Sequence, residues 1–282
     1  MRTLENIILK LGSVDRRVIF VLIGLAVLVP LLRPVDLAIR PGEDSQKVYD
    51  TIEAIPENSN ILISFDYGPS TRPEIHPMTL GVMRHLLSQD RGHKIYITCL
   101  WPDGLYMAKD ALETINEEYD LVKNEDYVLL GFRPGNEAIV KGLESDLRKV
   151  FTVDAEQTPI DDIPMMEGVN SLNDFQFIFT GSAGYPGTFE WVQYGGDPTG
   201  VTLSSGTTSI QVNEVMPYVK NEQLKGILAG MPGAAEYEAL IGIRGIATNG
   251  MAAQSYGHIV IVLFIILGNL AYFITQRRER KY

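Results

Sequence analysis

The chain has 282 residues, a net charge of −11, 45% hydrophobic residues and one cysteine. A single thiol excludes an intrachain disulfide. The first forty residues carry six basic and three acidic groups, and the last 27 carry four and one, so residues 41–255 hold −17. So acidic a middle segment is repelled by phosphate, which argues against nucleic acid as a partner and against lying flat on anionic lipid.

In chain order, Leu4, Ile7, Ile8 and Leu11 have helical spacing, which predicts a short amphipathic segment within residues 1–17 on the cytoplasmic side. Val18–Leu32 is an uncharged apolar run, read as a first transmembrane helix over residues 18–33. The residues after it, Leu-Leu-Arg-Pro-Val-Asp, hold no small-x-small cleavage site, so an uncleaved anchor is expected. Residues 34–255 read as one extracytoplasmic domain. Pro34, Pro41 and Gly42 break the chain before a helix over Ser45–Ile55.

A regular alternation follows. Strands are predicted at Ile61–Phe65, Lys94–Cys99, Tyr127–Leu130 and Phe175–Phe179, with a weaker fifth at Val201–Leu203. Helices are predicted at Met78–Leu87, Leu105–Tyr119, Glu137–Val150, Thr188–Tyr194 and Asn213–Ala229. Strand and helix in alternation mean crossover connections. The expected fold is therefore α/β, a doubly wound, mostly parallel, five-stranded sheet, flavodoxin-like or like a binding-protein lobe. Gly242–Ser255 is rich in small residues, neither strand nor helix at first, and reads as a stretch that docks the domain near the membrane or a partner. A second transmembrane helix is expected over residues 256–275, followed by a basic cytoplasmic tail, 276–282. Arg277, Arg278, Arg280 and Lys281 put that tail inside the cell, so both termini are expected in the cytoplasm and the domain outside it.

In open parallel sheets ligands bind beyond the carboxyl ends of strands. The loops there supply the candidate ligand or partner contacts: Asp66, Tyr67, Ser70 and Arg72; Trp101 and Asp103; Arg133 and Asn136; Ser182 and Tyr185; Ser205 and Thr207. Gly, Pro, Ser and Asp are also ordinary turn residues, and aromatics with arginine suit a protein interface equally well. Within the second apolar run, Asn269 is a candidate contact to another helix.

No catalytic set is complete. Thr180-Gly181-Ser182-Ala183-Gly184 sits where a nucleophile elbow would, but Thr replaces the first Gly and the only later histidine, His258, abuts the second run. Neither a phosphate loop nor a dinucleotide fingerprint occurs. Glu74, His76 and His85, and separately Asp161, Asp162 and Glu167, are thin as metal sets, so neither metal nor cofactor is expected. Cys99, in an apolar strand pattern, reads as a buried small hydrophobe.

Asp66-Tyr67-x-Pro69-Ser70, Pro77-Met78, Leu100-Trp101-Pro102, Ala234-Ala235-Glu236-Tyr237-Glu238 and Gly250-Met251-x-x-Gln254-Ser255 form a combination over most of residues 45–275. It resembles an uncharacterised family of bacterial two-span membrane proteins with an extracytoplasmic α/β domain. The resemblance implies a shared layout and carries no catalytic residue across. The expected role is a non-enzymatic subunit of a membrane protein assembly, pairing with itself or other subunits. The alternatives are a membrane-anchored domain that binds or senses a small ligand and, third, an outer-face hydrolase or transferase.

Overall fold

The computed structural model describes residues 7, 9–12, 14–33 and 38–279. The predicted face of Leu4 and Ile8, the linker 34–37 and the tail residues Arg280 and Lys281 lie outside the described residues. The chain divides into two compact units, residues 39–247 and the flanking segments 1–38 and 248–282.

The larger unit is built on six parallel strands: β1 (Asn60–Asp66), β2 (Lys94–Cys99), β3 (Tyr127–Phe132), β4 (Phe177–Ser182), β5 (Thr202–Thr207) and β6 (Ile227–Ala229). Their order across the sheet is β3-β2-β1-β4-β5-β6. Both faces are covered, which explains why the strands read as apolar runs rather than as alternation. Ile61, Ile63, Phe65, Phe177 and Phe179 lie on one face, while Leu62, Tyr96, Val128, Ile178, Leu203 and Ile227 lie on the other, in the core that holds Trp191.

The first face carries α2 (Glu43–Glu53), α3 (Arg72–Ser88), α4 (Gly104–Tyr119) and α8 (Gly230–Leu240). The second carries α5 (Glu137–Ser145), a short α6 (Leu147–Val150), a helical segment over residues 188–199 and α7 (Val212–Lys220). The middle of that helical segment, Trp191–Gly196, is a π-helix. Helices on both faces of a parallel sheet make the domain Rossmann-like, with its topological switch between β1 and β4.

Several expectations need correction. The sheet has six strands, and its order is not the flavodoxin-like 2-1-3-4-5. Residues 204–207, taken as a loop, continue β5 because they pair with β4 through Thr207. The predicted helix 213–229 stops at Lys220. Glu222 there has φ 61°, and the chain turns back into β6. The predicted helix 137–150 breaks at Asp146, whose extended backbone lets its carboxylate accept from Arg148 N and cap α6.

In the smaller unit, α1 spans Arg16–Leu32 and is capped by Asp15, whose carboxylate accepts from Arg17 N at 2.8 Å. Its 17 residues rise about 25 Å, short of a hydrocarbon core of roughly 30 Å. The last helix, α9, runs over Ile246–Glu279. Among the described residues it alone is long and apolar enough to cross a membrane. It begins well before residue 256, where the second span was expected to start, and only residues 242–245 of the small-residue stretch lie outside it. The buried Glu238 carboxylate explains the start, accepting from Gly245 N at 3.1 Å and Ala247 N at 3.0 Å.

On α9, Ala253, Gly257, Val260, Phe264, Leu267, Ala271 and Ile274 are shielded positions, at alternating steps of four and three. On α1, Ile19, Ile23, Ala26 and Pro30 follow the same steps. Gly257 lies against Val27, and a Cβ at Gly12 would run into Ala271. Small residues thus let an antiparallel pair of apolar segments approach closely.

Candidate functional site

Parallel pairing puts the carboxyl ends of all six strands on one edge. Asp66 pairs with Ser182 and Ser182 with Thr207; two residues earlier, Thr98, Ser64, Thr180 and Ser205 stand in register across β2, β1, β4 and β5. A buried parallel sheet normally presents aliphatic side chains here. This one presents two rows of hydroxyls and a carboxylate on a single face, across the switch point.

Asp66 is the centre of that belt. It is fully buried. Oδ1 accepts from Ser64 Oγ at 2.7 Å and Leu100 N at 2.7 Å; Oδ2 accepts from Thr180 Oγ1 at 2.9 Å and Trp191 Nε1 at 2.8 Å. Burial pushes the carboxyl up to about 6 against the pull of those donors. The side chain therefore joins β1 to β4, to the start of the loop after β2 and to the π-helix. That role leaves it no free lone pair turned to solvent.

The crevice is closed by aromatic rings. Trp191 covers Asp66 on one face of the sheet. On the other face Tyr67 lies against Gly181, where a Cβ would sit 3.2 Å from the ring and 2.8 Å from Thr79 Oγ1. Over the top, Trp101 Nε1 donates to Pro186 O at 2.7 Å and its ring lies against Gly184. The loops after β2 and β4 are thereby fastened to each other.

The Tyr67 hydroxyl is 2.8 Å from His76 Nδ1, and His76 Nε2 faces Asp110 Oδ2 at 3.2 Å without hydrogen-bond geometry. Asp110 is held in turn by Arg72 Nη2 at 2.6 Å. Burial lowers the His76 imidazole to about 4, outweighing the Asp110 carboxylate, and raises the Tyr67 phenol well above its ordinary range. Both are neutral at pH 7, and both are shielded from solvent.

The remaining candidates divide by access. Ser182, Ser205 and Thr207 are buried. Ser182 Oγ accepts from Thr188 N at 3.2 Å, and Ser205 Oγ lies 2.7 Å from Thr188 Oγ1, while Thr207 Oγ1 has no partner among the described residues. Asp66, Ser182, Ser205 and Thr207 are buried strand residues, so the expectation that they are loop contacts is corrected. Arg133 is half-buried, giving Nη1 to Phe132 O and Nη2 to Val153 O, with its guanidinium over the Phe151 ring at 5.0 Å. Ser70, Arg72, Asp103, Asn136 and Tyr185 are exposed, and Tyr185 Oη donates to Glu137. Exposed apolar groups also gather at this edge: Ile210 is 88% exposed, Tyr106 64% and Tyr185 59%. An open cleft of about 450 Å³ lies at the opposite, amino edge, lined by Leu86, Arg91, His93 and Tyr119.

Sequence reasoning missed Thr188, Glu190 and Trp191, which roof the belt; Glu190 is buried and accepts from Gly187 N at 2.6 Å. A signal for the belt was available. Ser64-x-Asp66, Thr180-x-Ser182 and Ser205-x-Thr207 repeat one pattern at the ends of three strands, the first two of them apolar. Cys99 is buried and its thiol is raised by desolvation, as a small core residue would be. Asp161 pairs with Arg148. Asn269 is exposed on α9, with Nδ2 donating to Ile265 O at 2.8 Å.

Compared with known protein-family models, curated proteins and solved structures, the chain matches none.

Proposed function

We propose that this protein is a non-enzymatic subunit of a membrane protein assembly, with its Rossmann-like domain as the docking module. The observation that carries the reading is the filled switch point. In open α/β sheets that crevice receives the ligand; here Trp191, Tyr67 and Trp101 occupy it, and Asp66 is committed to four internal donors. The exposed Ile210, Tyr185 and Tyr106 are side chains suited to a protein contact on the same edge.

The membrane reading rests on α9 as one span and on α1 as a second. Seventeen residues stand at the short end of spanning helices. The basic groups Arg277, Arg278, Arg280 and Lys281, in the last turn of α9 and just beyond it, orient the tail to the cytoplasm and the domain outside, the layout that the resembled two-span family implies.

The test is a native gel of gently solubilised membranes. The double variant Ile210→Asp, Tyr185→Ser is expected to reduce the size of the complex while leaving the circular dichroism of the purified chain unchanged. A complex of unaltered size would count against docking through this edge. Saturable binding of a small metabolite, abolished by Trp101→Ala, would replace the docking role with ligand sensing.

A further inference from the structure

The shielded seam of α9 is taken up within the chain. On the opposite side of the helix, His258, Val262, Ile265, Asn269, Tyr272 and Gln276 repeat the same alternation of four and three residues. Val262 is 51% exposed, Ile265 57% and Tyr272 58%, and Asn269 is exposed. This second seam also gathers polar side chains of the apolar stretch. Asn269 Nδ2 donates back to Ile265 O, and Gln276 Nε2 donates to Tyr272 Oη at 2.8 Å within the helix. An amide facing hydrocarbon finds its best partner on another helix.

We infer that this seam is the contact between two copies of the chain, with the α9 helices parallel across a two-fold axis along the membrane normal. The inference rests on the membrane-subunit reading above. Two copies inserted the same way present identical residues to each other at such an axis. An amide is complementary to itself there: the carbonyl oxygen of one Asn269, partly negative, meets the partly positive N–H of the other. One Asn at a core position of a parallel pair also sets register and pair number. With α1 on the far side of each α9, the two α9 helices form the centre of the dimer.

Disulfide trapping in native membranes tests this, with Cys99→Ala as background. Val262→Cys and Asn269→Cys, one at a time, are expected to give symmetric dimers, and Leu263→Cys and Leu270→Cys, one position out of phase, are not. Asn269→Leu is expected to weaken co-purification of two differently tagged copies by about three- to thirtyfold, the range an interhelical polar pair spans. Asn269→Gln, which keeps an amide, is expected to recover part of it. Trapping at all four positions alike, or at none, overturns the inference. So does an Asn269→Cys variant that forms its adduct with a different protein and never with itself, which would leave the subunit reading standing. Release of the unmodified chain from membranes by alkaline carbonate would instead overturn the membrane reading itself.

Discussion

Asp66 and His76 pull the pH dependence of stability in opposite directions. The folded Asp66 carboxyl titrates near 6 against 3.8 in a free chain, so its contribution is full below 3.8 and is lost as pH rises to about 6. The folded His76 imidazole titrates near 4 against 6.5, so its contribution is full above 6.5 and is lost as pH falls to about 4. Each shift corresponds to about 3 kcal/mol, and over the interval between the two folded values they largely cancel. These two groups therefore offset each other over that window, while the lowered His85, His93, Glu53 and Asp154 all favour the higher pH. Relative to the wild type, His76→Gln is expected to gain stability on acidification from about 6 to about 4 and Asp66→Asn to lose it, each by about 2–3 kcal/mol. Parallel profiles for the two variants would show that other groups control the window. Asp66→Asn should also be less stable at every pH, since an amide N–H₂ in place of Oδ2 accepts from neither Thr180 nor the Trp191 indole. In the sequence Asp66 was visible as a carboxylate ending a strand. Its conversion from a surface contact into a buried node depends on Trp191, 125 positions away.

Among the elements, the crossover helices need close approach to the sheet, and Gly104 shows how close. It opens α4, and a Cβ there would overlap the Phe65 carbonyl oxygen, backbone that cannot rotate away, and would crowd Cys99 Cβ at 2.7 Å. Gly104→Ala is expected to cost roughly 3 kcal/mol, at the upper end for overpacking, read as a lower unfolding midpoint. Gly168→Ala, where no atom lies within 4 Å, also carries strain from its φ of 79°, so Gly24→Ala on α1, which meets nothing, is the better control. A Gly104→Ala protein as stable as wild type would show that α4 slides freely on β1. Five strands, β5 only at its start, and most helices were legible because apolar runs and helical spacing are local properties. β6 was not: three residues form a strand only because β5 is beside them. Nor was the π-helix, since residues 188–194 have helical composition and the choice of i→i+5 over i→i+4 bonding is not marked by it.

For the molecule as a whole, the orientation in the membrane is the expectation to test. The basic residues Arg277, Arg278, Arg280 and Lys281 predict that a reporter fused after Tyr282 is active only in its cytoplasmic form. They also predict that a protease site inserted beside the exposed Asp161 is cut from outside in spheroplasts. Protection of that site would reverse the orientation.

Composition and periods of two to four residues were enough to establish the α/β class, the segregation of charge and the apolar helix at the carboxyl end. Such signals need no knowledge of distant partners. The strand order, the sixth strand and the fate of the polar edge came from packing between remote segments. Whether a hydroxyl or carboxylate at a strand end faces a ligand or its own protein depends on what packs over it. Here Trp101, Tyr67 and Trp191 arrive from three separate segments, and burial by residues far apart in the chain leaves no periodic trace in any one of them.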